Sequence, residues 1–94
     1  LIDEQLVPGD LNSLGGEIII ACGGVENILG ADSVVSRLII QIDSNFLVNV
    51  EQLRKLGIIS VILQRRFIHL VVGELAEPLH YLLVKLLDLR PDGY

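Results

Sequence analysis

The sequence predicts an α+β domain in which two β-hairpins form a four-stranded antiparallel sheet and three helices cover one of its faces, in the order αββαββα. Three observations carry this expectation. Two pairs of β-rich runs, one ending in Val34 to Asp43 and the other spanning Ile58–Leu63 and Phe67–Val72, are each divided by only a few turn residues. Three amphipathic segments with helix start and stop signals precede, separate and follow those pairs. The strands alternate, so one face goes to a core and the helices have that face to cover.

The composition fits such a domain. The chain has 94 residues and is 51% hydrophobic but only 4% aromatic, so its core is built of Leu, Ile and Val rather than of stacking rings. Mean hydropathy is +0.60. No apolar run approaches the roughly 18 residues of a membrane helix, and no basic segment followed by an apolar one opens the chain. A soluble chain this apolar is expected to have part of its surface covered by a partner or a second copy. The single cysteine, Cys22, permits no internal disulfide and no metal-ligand set, which suits a reducing cytoplasmic setting without a cofactor. The absence of Met, including at position 1, reads as a piece of a longer chain.

The net charge of −5 is unevenly distributed. From Asp32 to Arg66, five bases (Arg37, Arg54, Lys55, Arg65, Arg66) outnumber three acids (Asp32, Asp43, Glu51), while the flanks hold the other nine acids and two bases. A weakly basic centre suits a small anion or an acidic protein partner. It lacks the dense basic patch that nucleic acid requires.

Residues 1–11 contain the turn signal Pro8-Gly9-Asp10 in a stretch without sustained period and are expected to form a tether. Asn12 or Ser13 is suited to cap a helix with Leu14, Ile18, Ala21 and Cys22 on one side, stopped by Gly23-Gly24. Cys22 then packs as a small hydrophobe, since no base near it in sequence lowers its pKa. Leu38, Ile40 and Ile42 alternate with Arg37, Ile39, Gln41 and Asp43 along the second strand. Asn49 caps the next helix, with Gln52 placed to reach back as in a capping box, Val50, Leu53 and Leu56 inward and Gly57 as the stop. Its Arg54-Lys55 pair lies in the last turn, where the helix dipole favours cations.

Gln64-Arg65-Arg66 connects the second hairpin. The last helix, from about Glu74 to Asp88, places Leu75, Leu79, Leu82, Leu83, Leu86 and Leu87 on one stripe, with Pro78 tolerable in its first turn. Residues 89–94 form a frayed tail. Alternation leaves Ile39, Gln41, Phe67, His69 and Val71 on the face opposite the helices. That face is apolar enough to be the expected partner surface.

Chemistry, if the chain has any, falls in Asp32-Ser33-Val34-Val35-Ser36-Arg37-Leu38, where short polar side chains stand beside an arginine at a turn. Gly23-Gly24-Val25-Glu26-Asn27-Ile28, then Asp32 to Ile39, then Leu53-Arg54-Lys55-Leu56-Gly57 and the closing Gly73 follow one another without insertion or deletion in the order of a known family. The chain resembles the glucose-type enzyme IIB domain of the bacterial phosphoenolpyruvate-dependent sugar phosphotransferase system. That family runs roughly G-G-x-E-N-I, D-A-C-x-T-R-L-R, L-K-K-L-G and G-x-G-x-Q-x-I-x-G, and the likeness covers about residues 14 to 87.

The resemblance implies the fold derived above. It also implies a phosphoryl relay in which the cysteine of D-A-C takes a phosphoryl group from a IIA protein and passes it to a sugar held by a membrane IIC domain. Val34 occupies the cysteine's position, and a hydrocarbon is neither nucleophile nor leaving group. Ile39 replaces the second arginine, Arg65 and Phe67 replace two glycines, and His69 replaces the glutamine. Asp32, Ser36 in place of threonine, and Arg37 remain as residual contacts to a phosphoryl group or other anion.

Other acceptors are conceivable. Ser33 and Ser36 need a base, and a phosphoserine is too stable to hand its phosphate on. Asp32 lacks an accompanying Mg²⁺-binding cluster. His69 could carry phosphate, and His80 is a weaker candidate still; a lone histidine is more often a packed or hydrogen-bonded side chain.

The sequence thus reads as a degenerate IIB-like domain, cytoplasmic or held at the inner membrane face by a fused or bound IIC domain. Phosphotransfer is lost, and the domain docks with a IIA or IIC domain, a pathway regulator or a second copy. An active domain with an atypical acceptor, and an unrelated α+β interaction module, are the alternatives.

Overall fold

The structure, a computed structural model, describes residues 11–88. The expected tail, and all of the expected tether except Leu11, lie outside the described residues. The elements are α1 (Leu11–Ala21), β1 (Ile28–Val34), β2 (Arg37–Ile42), α2 (Val50–Lys55), β3 (Ser60–Gln64), β4 (Phe67–Val71) and α3 (Ala76–Leu87), with short 3-10 turns at Val25–Asn27, Asn45–Leu47 and Gly73–Leu75. The sheet is antiparallel with strand order β1-β2-β4-β3, so the second strands of the two hairpins lie side by side at its centre.

Leu38, Ile40 and Ile42 of β2 and Ile68 and Leu70 of β4 have no exposed surface. They form the floor of the core, and α3 crosses it over β1 and β2 while α2 lies beside β3 and α1 packs on both helices. Each fully buried Leu or Ile contributes about 1.5–3 kcal/mol of transfer free energy, and Ile18, Leu53, Leu79 and Leu83 on the helices are buried as completely as the sheet layer they cover. α1 supplies Leu14, Ile18, Ala21 and Cys22 as its sequence predicts, together with Gly15 and Ile19.

Asn12 and Ser13 lie within α1 rather than before it, so neither is its cap, and Leu11 ahead of them already packs against the core. Its end follows the expected chemistry. Gly24 N–H donates to Ile19 O (2.9 Å) and Gly23 N–H to Ile20 O (3.1 Å), a Schellman pair with both glycines at positive φ. A Cβ on Gly23 would also lie 2.7 Å from Asn27 Nδ2 and 2.8 Å from Leu47 Cβ, so no other residue fits there.

Asn49 caps α2, its side chain accepting from Gln52 N–H at 3.0 Å. The reciprocal arm of a capping box is not used, because Asn49's own N–H donates to Ala21 O at 2.7 Å and ties α2 to the end of α1. In α3, Leu79 and Leu83 are fully buried but Leu86 is 47% exposed, contrary to the predicted stripe. Leu82 instead lies closest over Gly15 of α1, where a Cβ would come within 2.8 Å of its Cδ2.

Both hairpins close in two residues, Val35-Ser36 and Arg65-Arg66, so Gln64 belongs to β3 rather than to the connection. The first residue of each turn has positive φ, 54° at Val35 and 57° at Arg65, as primed hairpin turns require.

Candidate functional site

Strand register decides which side chains share the open face. Buried Leu38 and Ile40 fix the helix-covered side of β2, so Arg37, Ile39 and Gln41 face the other way; in β4, Phe67, His69 and Val71 do the same. Three rows cross the sheet there: Val34, Arg37, Val71 and Ser60; Asp32, Ile39, His69 and Ile62; Gly30, Gln41, Phe67 and Gln64. The five residues expected to form the partner surface therefore stand together, and Asp32, Val34 and Arg37 share their face. Ile62, 44% exposed, is a further member that alternation along β3 could have identified.

The residues of the central stretch divide by parity. Val34 is half exposed on the open face, and Asp32 stands beside it with Oδ1 accepting from Ser33 N–H at 2.7 Å. Ser33 points to the helix layer instead, where its Oγ lies 3.1 Å from His80 Nδ1 on α3. Ser36 sits in the turn, and its carbonyl accepts from Val72 N–H (3.0 Å) and Gly73 N–H (3.2 Å), pinning the entry to α3 beneath the hairpin tip. Arg37 is exposed at the end of the open face.

The bases of the central segment do not converge. Arg37 is at one end of the sheet, Arg65 and Arg66 form the opposite hairpin tip, and Arg54 and Lys55 lie on α2 in the other layer. No single anion patch arises from them.

His69 lies mid-sheet between Ile39 and Ile62, and its buried Nδ1 has no hydrogen-bond partner. Beside it, Gly30, Ala31, Asp32, Ile39, Gln41 and Phe67 line a shallow depression of about 250 Å³. Cys22 is remote from all of this, and burial pushes its thiol up to about 12, so it stays protonated and inert. Among the described residues no group of three His, Cys, Asp or Glu side chains comes together as a metal site. No helix among them is long and apolar enough to cross a membrane.

Two features escaped sequence reasoning. The Ser33–His80 contact spans 47 residues and has no local signal. Asn27, only 3% exposed, donates from Nδ2 to Cys22 O (2.7 Å) and Ser44 O (2.9 Å) and accepts from Ser44 N–H at Oδ1 (2.8 Å). It clamps the end of α1 to the loop after β2. A lone Asn next to a Gly-Gly stop was the available sign.

A solved structure has the same architecture. It is a crystal structure of one domain of the PTS system IIabc component from Clostridium difficile, with a TM-score of 0.71 and 18% identity over 82% of this chain and 81% of that chain. This chain shares its fold with a phosphotransferase-system domain. No protein-family model matches the sequence, and comparison with curated proteins gives no match.

Proposed function

We propose that this chain is a IIB-like domain of a sugar phosphotransferase system that has lost phosphotransfer and acts as a docking or regulatory domain on the cytoplasmic side of the membrane. Its partners are a IIA protein, a IIC domain or a regulator of the same pathway, engaged through the open sheet face. One observation carries the reading. By the resemblance read from the sequence Val34 takes the place of the family's acceptor cysteine, and it is half exposed on the face that also bears Arg37, Ile39 and His69. The group that would donate or receive phosphate is a hydrocarbon, while the surface around it has the apolar character of an interface core. The shared fold with a phosphotransferase-system domain supports the assignment to that system.

A second reading is favoured by the Ser33–His80 contact. A hydroxyl 3.1 Å from an imidazole nitrogen has the base that a serine acceptor needs, so this reading names Ser33 as a phosphoryl acceptor, a stable end-point of phosphorylation rather than a relay to a sugar.

Intact-mass analysis of the protein and of Val34→Cys, each incubated with phosphoenolpyruvate, the general carriers and a glucose-type IIA protein, separates the two. The docking reading expects no phosphate on the parent and one on Val34→Cys. Phosphate on the parent that disappears in Ser33→Ala overturns it in favour of the second reading.

A further inference from the structure

We propose that the depression on the open sheet face is a recognition site for a guanidinium group, the arginine side chain of a partner protein. The inference rests on the docking reading and names the chemistry by which that face would select what it binds.

The depression exists because of a local irregularity in β1. The register of β1 against β2 shifts between Ile28 and Gly30, and Gly30 then faces Gln41 with no side chain of its own. A glycine at a strand irregularity leaves space that any other residue would fill. Its lining includes the apolar side chains of Ile39 and Phe67, the latter 42% exposed, together with Gln41 and Asp32. At about 250 Å³ the space falls below the roughly 300–1,000 Å³ of a typical small-molecule pocket and suits a single side chain.

The sign of the ligand follows from the lining. Asp32 is the one charged residue among the six, and its hydrogen bond among the described residues is to the next residue's N–H, which occupies one lone pair and leaves the rest of the carboxylate for an incoming donor. Arg37 stands one row from Asp32 on the same face but outside the lining, and Arg65 and Arg66 are at the other hairpin tip.

The shape selects among cations. A guanidinium presents a flat face to Phe67 and Ile39 while its edge donates to Asp32 and to the Gln41 carbonyl. An ammonium is a strongly hydrated point charge and gains less from such a lining.

The test is a titration of the protein with N-acetyl-arginine amide, N-acetyl-lysine amide and N-acetyl-citrulline amide, followed by ¹H–¹⁵N NMR. The Ser33 amide is a built-in reporter, because it donates to Asp32 Oδ1. Saturable shifts at Gly30, Asp32, Ser33, Gln41 and Phe67 are expected with the arginine derivative, with affinity about tenfold above that for citrulline, which keeps the shape and loses the charge. Lysine falls between them. Asp32→Asn, an exposed and nearly isosteric change, removes the arginine preference while leaving the remaining spectrum in place.

Equal binding of arginine and citrulline, shifts that map elsewhere, or no saturable shift overturns the proposal. None of these results depends on a IIA or IIC protein. Arginine binding together with no binding of a IIA or IIC protein, measured separately, would keep this site and remove the docking reading, and binding of such a protein without an arginine preference would do the reverse.

Discussion

The chain is built from two αββ halves, α1-β1-β2 and α2-β3-β4, each a helix with a glycine stop followed by a hairpin closed in two residues. Their second strands pair at the centre of the sheet, which leaves β1 and β3 as its edges. The edges differ. β3 reads Ser60-Val61-Ile62-Leu63-Gln64, uncharged and regular, with α2 beside it. β1 carries a register shift at Gly30, a carboxylate at Asp32 and a hydroxyl at Ser33 fastened to α3. A bulge and a charge are also the devices by which an edge strand avoids pairing with another chain. The same framework thus leaves one edge uncharged and gives the other a carboxylate and a hydroxyl on opposite faces.

The halves also differ in the asparagine that fixes each helix, and here the largest effect is expected. The joint between α1 and β1 is clamped by Asn27, itself only 3% exposed, through three hydrogen bonds to Cys22 and Ser44. In the second half Asn49 caps the start of α2, exposed and making one side-chain bond. Asn27→Ala should cost about 3 kcal/mol, since two carbonyls and one N–H are left without their partner, against about 1 kcal/mol for Asn49→Ala. Urea unfolding of both variants measures the difference; equal losses would mean that water replaces the clamp.

Cys22 sharpens the same contrast. Its thiol is buried at the joint between α1 and β1 and pushed up to about 12, whereas the unfolded chain releases that proton near 9. Above pH 9 the unfolded state holds fewer protons than the folded one, so stability falls as pH rises toward 12. The slope is at most about 1.4 kcal/mol per pH unit. Unfolding of the parent and Cys22→Ala from pH 8 to pH 11 isolates this dependence, because other titrating groups are common to both. The two stabilities should draw together as pH rises; a constant gap would mean that the thiol ionises in the folded protein as it does in the unfolded one.

How far the sequence could be read depended on the range of the interaction. Alternation along β2 and β4 gave the core and the open face, because strand parity is local and Leu38, Ile40, Ile68 and Leu70 obey it. Glycines at 23, 24 and 57 marked helix ends for a similar reason, the positive φ that each adopts. What sequence did not reveal depends on chain segments meeting: Ser33 with His80, Asn27 with Ser44, Asn49 N–H taken by Ala21, and Leu11 packed against the core. The stretch from Asp32 to Arg37 does not face one way. Parity sends Ser33 to one side of the sheet and Asp32 and Val34 to the other, and a motif written on one line conceals that division.

The smallest difference lies in the two hairpin tips. Val35 and Arg65 both occupy the left-handed region, where glycine is favoured, but only Val35 is β-branched, and branching at Cβ crowds the backbone most in that conformation. Val35 is also 93% exposed, so packing returns almost nothing for the strain. Val35→Gly should therefore stabilise the protein by about 1 kcal/mol, the relief of strain exceeding the added freedom of the unfolded chain. Arg65→Gly should gain about half as much or less, since an unbranched side chain sits there with less crowding. Thermal unfolding of the two variants under one set of conditions decides the matter. If Val35→Gly is neutral while its backbone φ stays positive, exposed valine is tolerated at this tip without strain, and the two hairpins are closer equivalents than their sequences suggest.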